Sequence, residues 1–190
     1  MSSRLRNTIS RKERKLGKKH FFRVEIFTED DDRLTKAIAD YSAIYEKSWK
    51  RQEPFPEFIP TLASTAAQLG ILRLGVLYVD DKPAAAQIWM TKDYRALIYK
   101  LAYDEGFREY SPGTILSREM FRQAIDEDHV QEIYNGVGSD AYKKDWMDSK
   151  LELIGMRSLN KYTLSGQTQT AYEKMKNVFR GFKSASQYED

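Results

Sequence analysis

The hydrophobic period of this chain switches from helical to strand-like at Gly70 and back to helical at Ser111, and those two switches bound what it can build. Between them, Ile71 to Val79, Ala84 to Met90 and residues 96–104 alternate apolar and polar positions as strands do. The turns Asp80-Asp81-Lys82-Pro83 and Thr91-Lys92-Asp93-Tyr94 separate them, which predicts a three-stranded meander. The third strand (Leu97, Tyr99, Leu101, Tyr103) then runs through a polar turn into Ser111-Pro112-Gly113, which opens a helix carrying Ile115, Leu116, Met120, Phe121, Ala124 and Ile125. Proline suits the first helical position, and a serine before it is a good N-cap. Glycine lets a ligand approach the backbone. A helix N-terminus after a strand offers outward N–H groups to a phosphate or pyrophosphate.

The flanking segments read as follows. Arg4 to Lys19 is a charged helix with sparse apolar residues Leu5, Ile9 and Leu16, and Phe22 to Phe27 is a strand. Asp31-Asp32-Arg33 begins a helix that runs to about Trp49, with acidic residues where the dipole favours them. After the break at Glu53-Pro54-Phe55-Pro56, a further helix spans about Phe58 to Leu69. Beyond the Ser-Pro-Gly helix come a short strand at Glu132 to Asn135, a glycine turn, a short helix with Tyr142, Lys143 and Trp146, a strand-like Lys150 to Leu159, and an amphipathic helix from about Gln169 to Phe182.

Composition removes several chemistries. The 190 residues include no cysteine, so there is no disulfide, thiolate metal site or cysteine nucleophile, and the two histidines, His20 and His129, read as surface residues. Catalysis must therefore rest on carboxylates, tyrosines, lysines and backbone dipoles, with no metal. Residues 1–23 hold nine Lys or Arg against Glu13 alone, a basic arm on an otherwise mildly acidic body. Such an arm suits nucleic acid or a membrane surface. It lacks the interleaved aromatics of a base-stacking platform, and we read it as packing on a neighbouring domain rather than on nucleic acid. It also lacks the apolar core of a secretory signal, and the run Gly70 to Val79, broken by Arg73, is too short to span a bilayer, so the expected location is cytoplasmic.

The order of elements resembles the GCN5-related N-acetyltransferase (GNAT) fold, and the details resemble its CelD/BcsL branch of polysaccharide biosynthesis, related to the Fem peptidoglycan aminoacyltransferases. The matching residues are Ser48-Trp49-Lys50, Lys82-Pro83-Ala84-Ala85, Tyr103-Asp104, Tyr110-Ser111-Pro112-Gly113, Gly136-Val137-Gly138 and Tyr142-Lys143 with Trp146. The resemblance implies an α/β (α+β) domain over residues 21–162, with a central mixed, mostly antiparallel sheet flanked by helices. Residues 1–20 would be a basic helix or linker and residues 163–190 a C-terminal helix and tail. It implies an acyl-CoA-dependent N-acyltransferase, with acetyl-CoA or another acyl-CoA as co-substrate and a small-molecule or glycan amine as acceptor, such as an amino sugar or sugar nucleotide. Tyr110 to Gly113 stands where the wider family has its Gln/Arg-x-x-Gly-x-Gly/Ala phosphate loop, so Ser111, Pro112, Gly113 and Thr114 are the expected pyrophosphate contacts. Backbone groups of Leu101, Ala102 and Tyr103 would meet the thioester, Asp104 or Glu105 would serve the amine as base, and Tyr142 would protonate the leaving thiolate. Tyr142 could equally stack on Trp146 in the core. Trp49 and Phe55 would wall the acceptor pocket. Branch members often carry two such domains in tandem, so a second GNAT-like domain or a homodimer is a possible partner. Two alternatives are an aminoacyl-tRNA-dependent transferase of the Fem kind, with the basic arm on RNA, and a non-catalytic GNAT-like binding module.

Overall fold

The structure, a computed structural model, describes residues 1–51, 54–138, 140, 142–152 and 154–185, with side chains as far as Lys176. It divides into two units, Met1–Ser149 and Lys150–Asp190. In the first, α1 (Ser3–Gly17) leads into β1 (Phe22–Phe27), α2 (Asp32–Glu46), α3 (Phe58–Gln68), β2 (Leu72–Val79), β3 (Lys82–Lys92) and β4 (Arg95–Tyr103). A 3₁₀ turn (Glu105–Tyr110), α4 (Pro112–Arg122), β5 (Glu132–Tyr134) and α5 (Lys143–Trp146) complete it. The strands form one sheet in sequence order, antiparallel from β1 to β4, with β5 parallel to β4.

Local chemistry accounts for most boundaries. Ser2 and Asp31 cap α1 and α2 by accepting from Leu5 N at 3.2 Å and Leu34 N at 3.0 Å. Both meander turns are tighter than the sequence suggests. Asp80-Asp81 and Asp93-Tyr94 are two-residue loops with positive φ at both positions, the arrangement whose twist matches that of paired strands.

The sheet is covered on both faces. One face packs Leu34, Ala37, Tyr41 and Ile44 of α2 and Ile59, Ala63 and Ala66 of α3 onto Leu74, Val76, Ile88 and Ala102. The other packs Ile115, Leu116, Met120 and Ala124 onto Leu77, Val79, Ala85, Trp89 and Ile98, with Leu16 of α1 in the same cluster. Burial of β2 and β3 on both faces is why their sequences read as nearly continuous apolar runs.

Gly75 sets how closely α4 approaches the sheet. A Cβ there would collide with Met120 Sδ and stand 3.2 Å from Leu116 Cδ1. Gly75→Val is expected to destabilise the fold by about 1–3 kcal/mol through overpacking, read as a lower urea midpoint at unchanged slope. A wild-type midpoint would mean that α4 shifts freely.

Two expectations are corrected. The basic arm does not reserve its apolar stripe for another domain: Leu5, Ile9 and Leu16 are buried within this unit, and Glu13 forms a two-pronged ion pair with Arg118 of α4 (2.6 and 2.7 Å). The Lys150 to Leu159 segment is not a strand at its described positions; Leu151, Ile154 and Met156 are exposed, and Leu153 lies outside the described residues. In the second unit, α6 (Leu164–Ala185) starts a turn earlier than its apolar pattern does, because Thr163 Oγ1 accepts from Gly166 N at 3.1 Å. Among the described residues no helix is long and apolar enough to cross a membrane.

Candidate active site

The site is built where β4 loses its neighbour. β5 pairs only with Arg95, Ala96 and Leu97, so the outer edge of the rest of β4 has no strand beside it among the described residues. The β3–β4 register slips between Ile88 and Trp89, whose partners are Lys100 and Ile98, leaving Tyr99 as an extra, bulged residue. Beyond the bulge the ladder is regular again, and Asp104 N donates to Ala84 O at 2.9 Å. Strand amides alternate in direction, so the N–H groups of Leu101 and Tyr103 point the other way, into the opening. Ala102 is buried against the α2 face, and Leu101 and Tyr103 pack toward α4.

The chain crosses from β4 to α4 through a rigid turn. Asp104 caps the 3₁₀ turn, its carboxylate accepting from Gly106 N at 2.8 Å. Ser111 is left-handed (φ 55°, ψ 54°), and its carbonyl accepts from Thr114 N at 3.0 Å and Ile115 N at 3.2 Å. Its hydroxyl caps nothing, contrary to expectation, because side-chain capping needs the extended backbone that this residue does not have. Pro112 takes the first helical position, as expected. The Gly113 N–H has no acceptor among the described residues, so the N-terminus of α4 keeps an unsatisfied donor at its positive end. A Cβ on Gly113 would lie 3.4 Å from Tyr103 Cδ1, so the missing side chain keeps open the gap between α4 and the end of β4.

Both neighbours of this turn hold it. From α1, Lys12 Nζ donates to Glu109 O at 2.6 Å and Lys15 pairs with the Glu109 carboxylate. Lys15, with help from Tyr110, holds that carboxyl below the usual glutamate range. Buried Tyr110 meets the edge of His20 at 5.4 Å between ring centroids. From the end of α2, Lys47 O accepts from Glu105 N at 3.4 Å, and Lys47 Nζ lies 3.7 Å from Asp104 Oδ2. Ser48 Oγ donates to Tyr45 O at 2.7 Å and accepts from Lys50 N at 3.3 Å, a bend that presents Trp49. The Trp49 ring lies against Tyr103, 4.7 Å between centroids at 42°, and remains half exposed.

Trp49, Tyr103, Asp104 and Gly113 are thus brought together, with Glu105 exposed beside them. No ring contact or hydrogen bond links Phe55 or Tyr142 to this group among the described residues. Phe55 is 73 % exposed. Tyr142 precedes α5, whose Trp146 stacks on Phe121 of α4 (4.7 Å, 9°) rather than on Tyr142 as the helical spacing suggested. The tyrosine is half exposed, and partial burial followed by the nearby Asp140 raises its hydroxyl above the ordinary tyrosine value. Lys143 Nζ donates to Val137 O at 2.7 Å and ties the preceding loop to α5.

Sequence reasoning missed Gln87, a buried polar residue on β3 that contacts the first turn of α4. Its signal was present, as the one amide in the run Ala84-Ala85-Ala86-Gln87-Ile88-Trp89. It also missed Lys12 and Lys15, which a count of charges reads as solvated. Among the described residues no group of His, Asp or Glu could hold a metal ion.

A family model described as an acetyltransferase (GNAT) domain matches residues 3–144. Among solved structures, the fold is similar to that of an aminoglycoside N-acetyltransferase in complex with CoA, at 7% identity over 73% of this chain and 95% of that one, with a TM-score of 0.54. The same enzyme with the bisubstrate analogue CoA-S-monomethyl-acetylneamine matches at 7% identity over 73% and 98%, with a TM-score of 0.54. A GNAT family acetyltransferase of Staphylococcus aureus subsp. aureus matches at 10% identity over 72% and 98%, with a TM-score of 0.53. No curated protein matches the sequence.

Proposed function

This chain belongs to the GNAT acetyltransferase family, and from that premise we infer that it moves an acyl group from acyl-CoA to the amine of a small molecule, an amino sugar or sugar nucleotide in polysaccharide biosynthesis. One observation carries the reading: the outward amides of Leu101 and Tyr103 have no strand beside them among the described residues, and Gly113, whose N–H is unsatisfied, lies next to the Tyr103 side chain. Amide donors fixed before reaction stabilise developing charge on a thioester oxygen without reorganising, and such stabilisation often contributes more to acyl transfer than any other effect. Ser111, Pro112, Gly113 and Thr114 receive the diphosphate of the donor, where the helix dipole and the one free N–H, that of Gly113, favour an anion. Leu101, Ala102 and Tyr103 lie along its pantetheine arm.

Asp104 or Glu105 takes the proton from the attacking amine, directly or through a water. Asp104 is already engaged by Gly106 N and Lys47, so the exposed Glu105 is the freer of the two. Tyr142 returns a proton to the departing thiolate, a role favoured by a hydroxyl that stays protonated at neutral pH. Trp49, braced by Tyr103, offers an apolar face to the acceptor, and Phe55 extends it. A half-exposed indole suits the apolar face of a sugar ring, which supports the choice of acceptor.

A thermal-shift series with acetyl-CoA and longer acyl-CoAs tests the donor. Ligand at a hundred times its Kd raises stability by about 2.7 kcal/mol. Gly113→Val should raise the CoA Kd about tenfold or more, roughly 1.4 kcal/mol, because a branched side chain fills the gap before Tyr103. Unchanged affinity in a folded variant would remove the diphosphate from this turn.

A further inference from the structure

Gln87 is 1% exposed on a strand buried on both faces, and every polar atom of its side chain is used. Its Oε1 accepts from Trp89 Nε1 at 2.9 Å. Its Nε2 donates to Gly113 O at 3.0 Å and to Ser117 Oγ at 2.7 Å. Ser117 Oγ in turn donates to Gly113 O at 2.9 Å. A buried amide left without partners costs a few kcal/mol, so this side chain is tolerated only when α4 sits with the Gly113 carbonyl turned toward β3. Leu or Met at position 87 would fill the volume without dictating where that carbonyl goes.

We propose that Gln87 is a positioning residue for the acyl donor. It holds the first turn of α4 against β3, and so fixes the gap between Gly113 and Tyr103 and the direction of the free Gly113 N–H. The proposal rests on the reading that this turn receives the donor diphosphate. It assigns to a side chain that touches no substrate a selective control over one part of one ligand. Trp89 completes the arrangement: by donating to Oε1 it orients the Gln87 amide with Nε2 toward α4.

The test compares two ligands on one folded variant. CoA carries the diphosphate; pantetheine carries the thiol arm without it. Gln87→Met should weaken CoA binding about tenfold by calorimetry while changing the pantetheine affinity, followed by NMR titration, less than about twofold. A residue that only stabilises the core would leave both affinities alone or lower them equally, and either result in a folded variant overturns the proposal. Should Gln87→Met not fold, Ser117→Ala removes the second donor to the same carbonyl and carries the same comparison, with CoA weakened about threefold and pantetheine unaffected. Wild-type chain that binds no CoA overturns the donor reading and this proposal with it. Wild-type binding together with an unaltered variant overturns this proposal alone.

Discussion

A chain shortened to residues 20–190 is expected to lose most of its folding stability. Helix α1 buries Ile9 and Leu16 almost completely and Leu5 to 8% exposure. Each such side chain stabilises a fold by about 1.5–3 kcal/mol, so removing three approaches the whole net stability of an ordinary domain. The truncation also strands Arg118, which would keep Glu119 but lose its two-pronged partner Glu13. Urea unfolding of the two chains measures the difference. A truncated chain with the full-length midpoint would show that α1 is a dispensable appendage. Should the shortened chain aggregate, Ile9→Ala in the full chain gives a second reading, with an expected loss of about 2–5 kcal/mol typical of a buried Ile→Ala change.

The second large effect concerns turnover. Once an amine screen has identified an acceptor, Tyr142→Phe should lower kcat about 10²-fold at unchanged donor affinity, the usual scale for a lost acid–base group. Half exposure and the separate stacking of Trp146 on Phe121 mean that loss of the hydroxyl should not disturb packing. The sign of the pH dependence follows from the raised pKa. The hydroxyl holds its proton below that value and loses it above, so the alkaline fall in wild-type activity that belongs to this group should set in only above about pH 10, the ordinary tyrosine pKa. Asp104→Asn should behave differently, losing most at low pH where the amine is mostly protonated. Wild-type turnover in Tyr142→Phe would remove the tyrosine from the mechanism. Loss of folding in Asp104→Asn would make that carboxylate the cap of its turn and no more.

Elements with strong periodicity were readable in advance. β1 matches its expected residues, and α2 and α3 begin at the expected positions, because alternation, the Asp31 cap of α2 and the proline break before α3 are local chemistry. The site was legible in part. Tyr103 and Gly113 could be named from the strand-turn-helix pattern, and Asp104 and Trp49 from the family resemblance. What a linear reading lacks is which residues meet. Trp49 and Tyr103 are far apart in sequence, and their contact depends on how α2 ends. The Ser111 hydroxyl fails as a cap for a reason of backbone angle that residue type does not reveal. The alternating Lys150 to Leu159 segment shows the reverse error, since period-two alternation alone, without a paired neighbour, makes no strand at its described positions.

The opening beside β4 has an evolutionary meaning. Its donors are main-chain amides, and a peptide group is the same whatever residue carries it. Drift can therefore rewrite the side chains along residues 98–103 without erasing the groups that face the opening, provided the bulge and the departure of β5 persist. Heredity in such a site resides in the path of the chain more than in its letters. A fold that is similar at 7% identity is compatible with such drift.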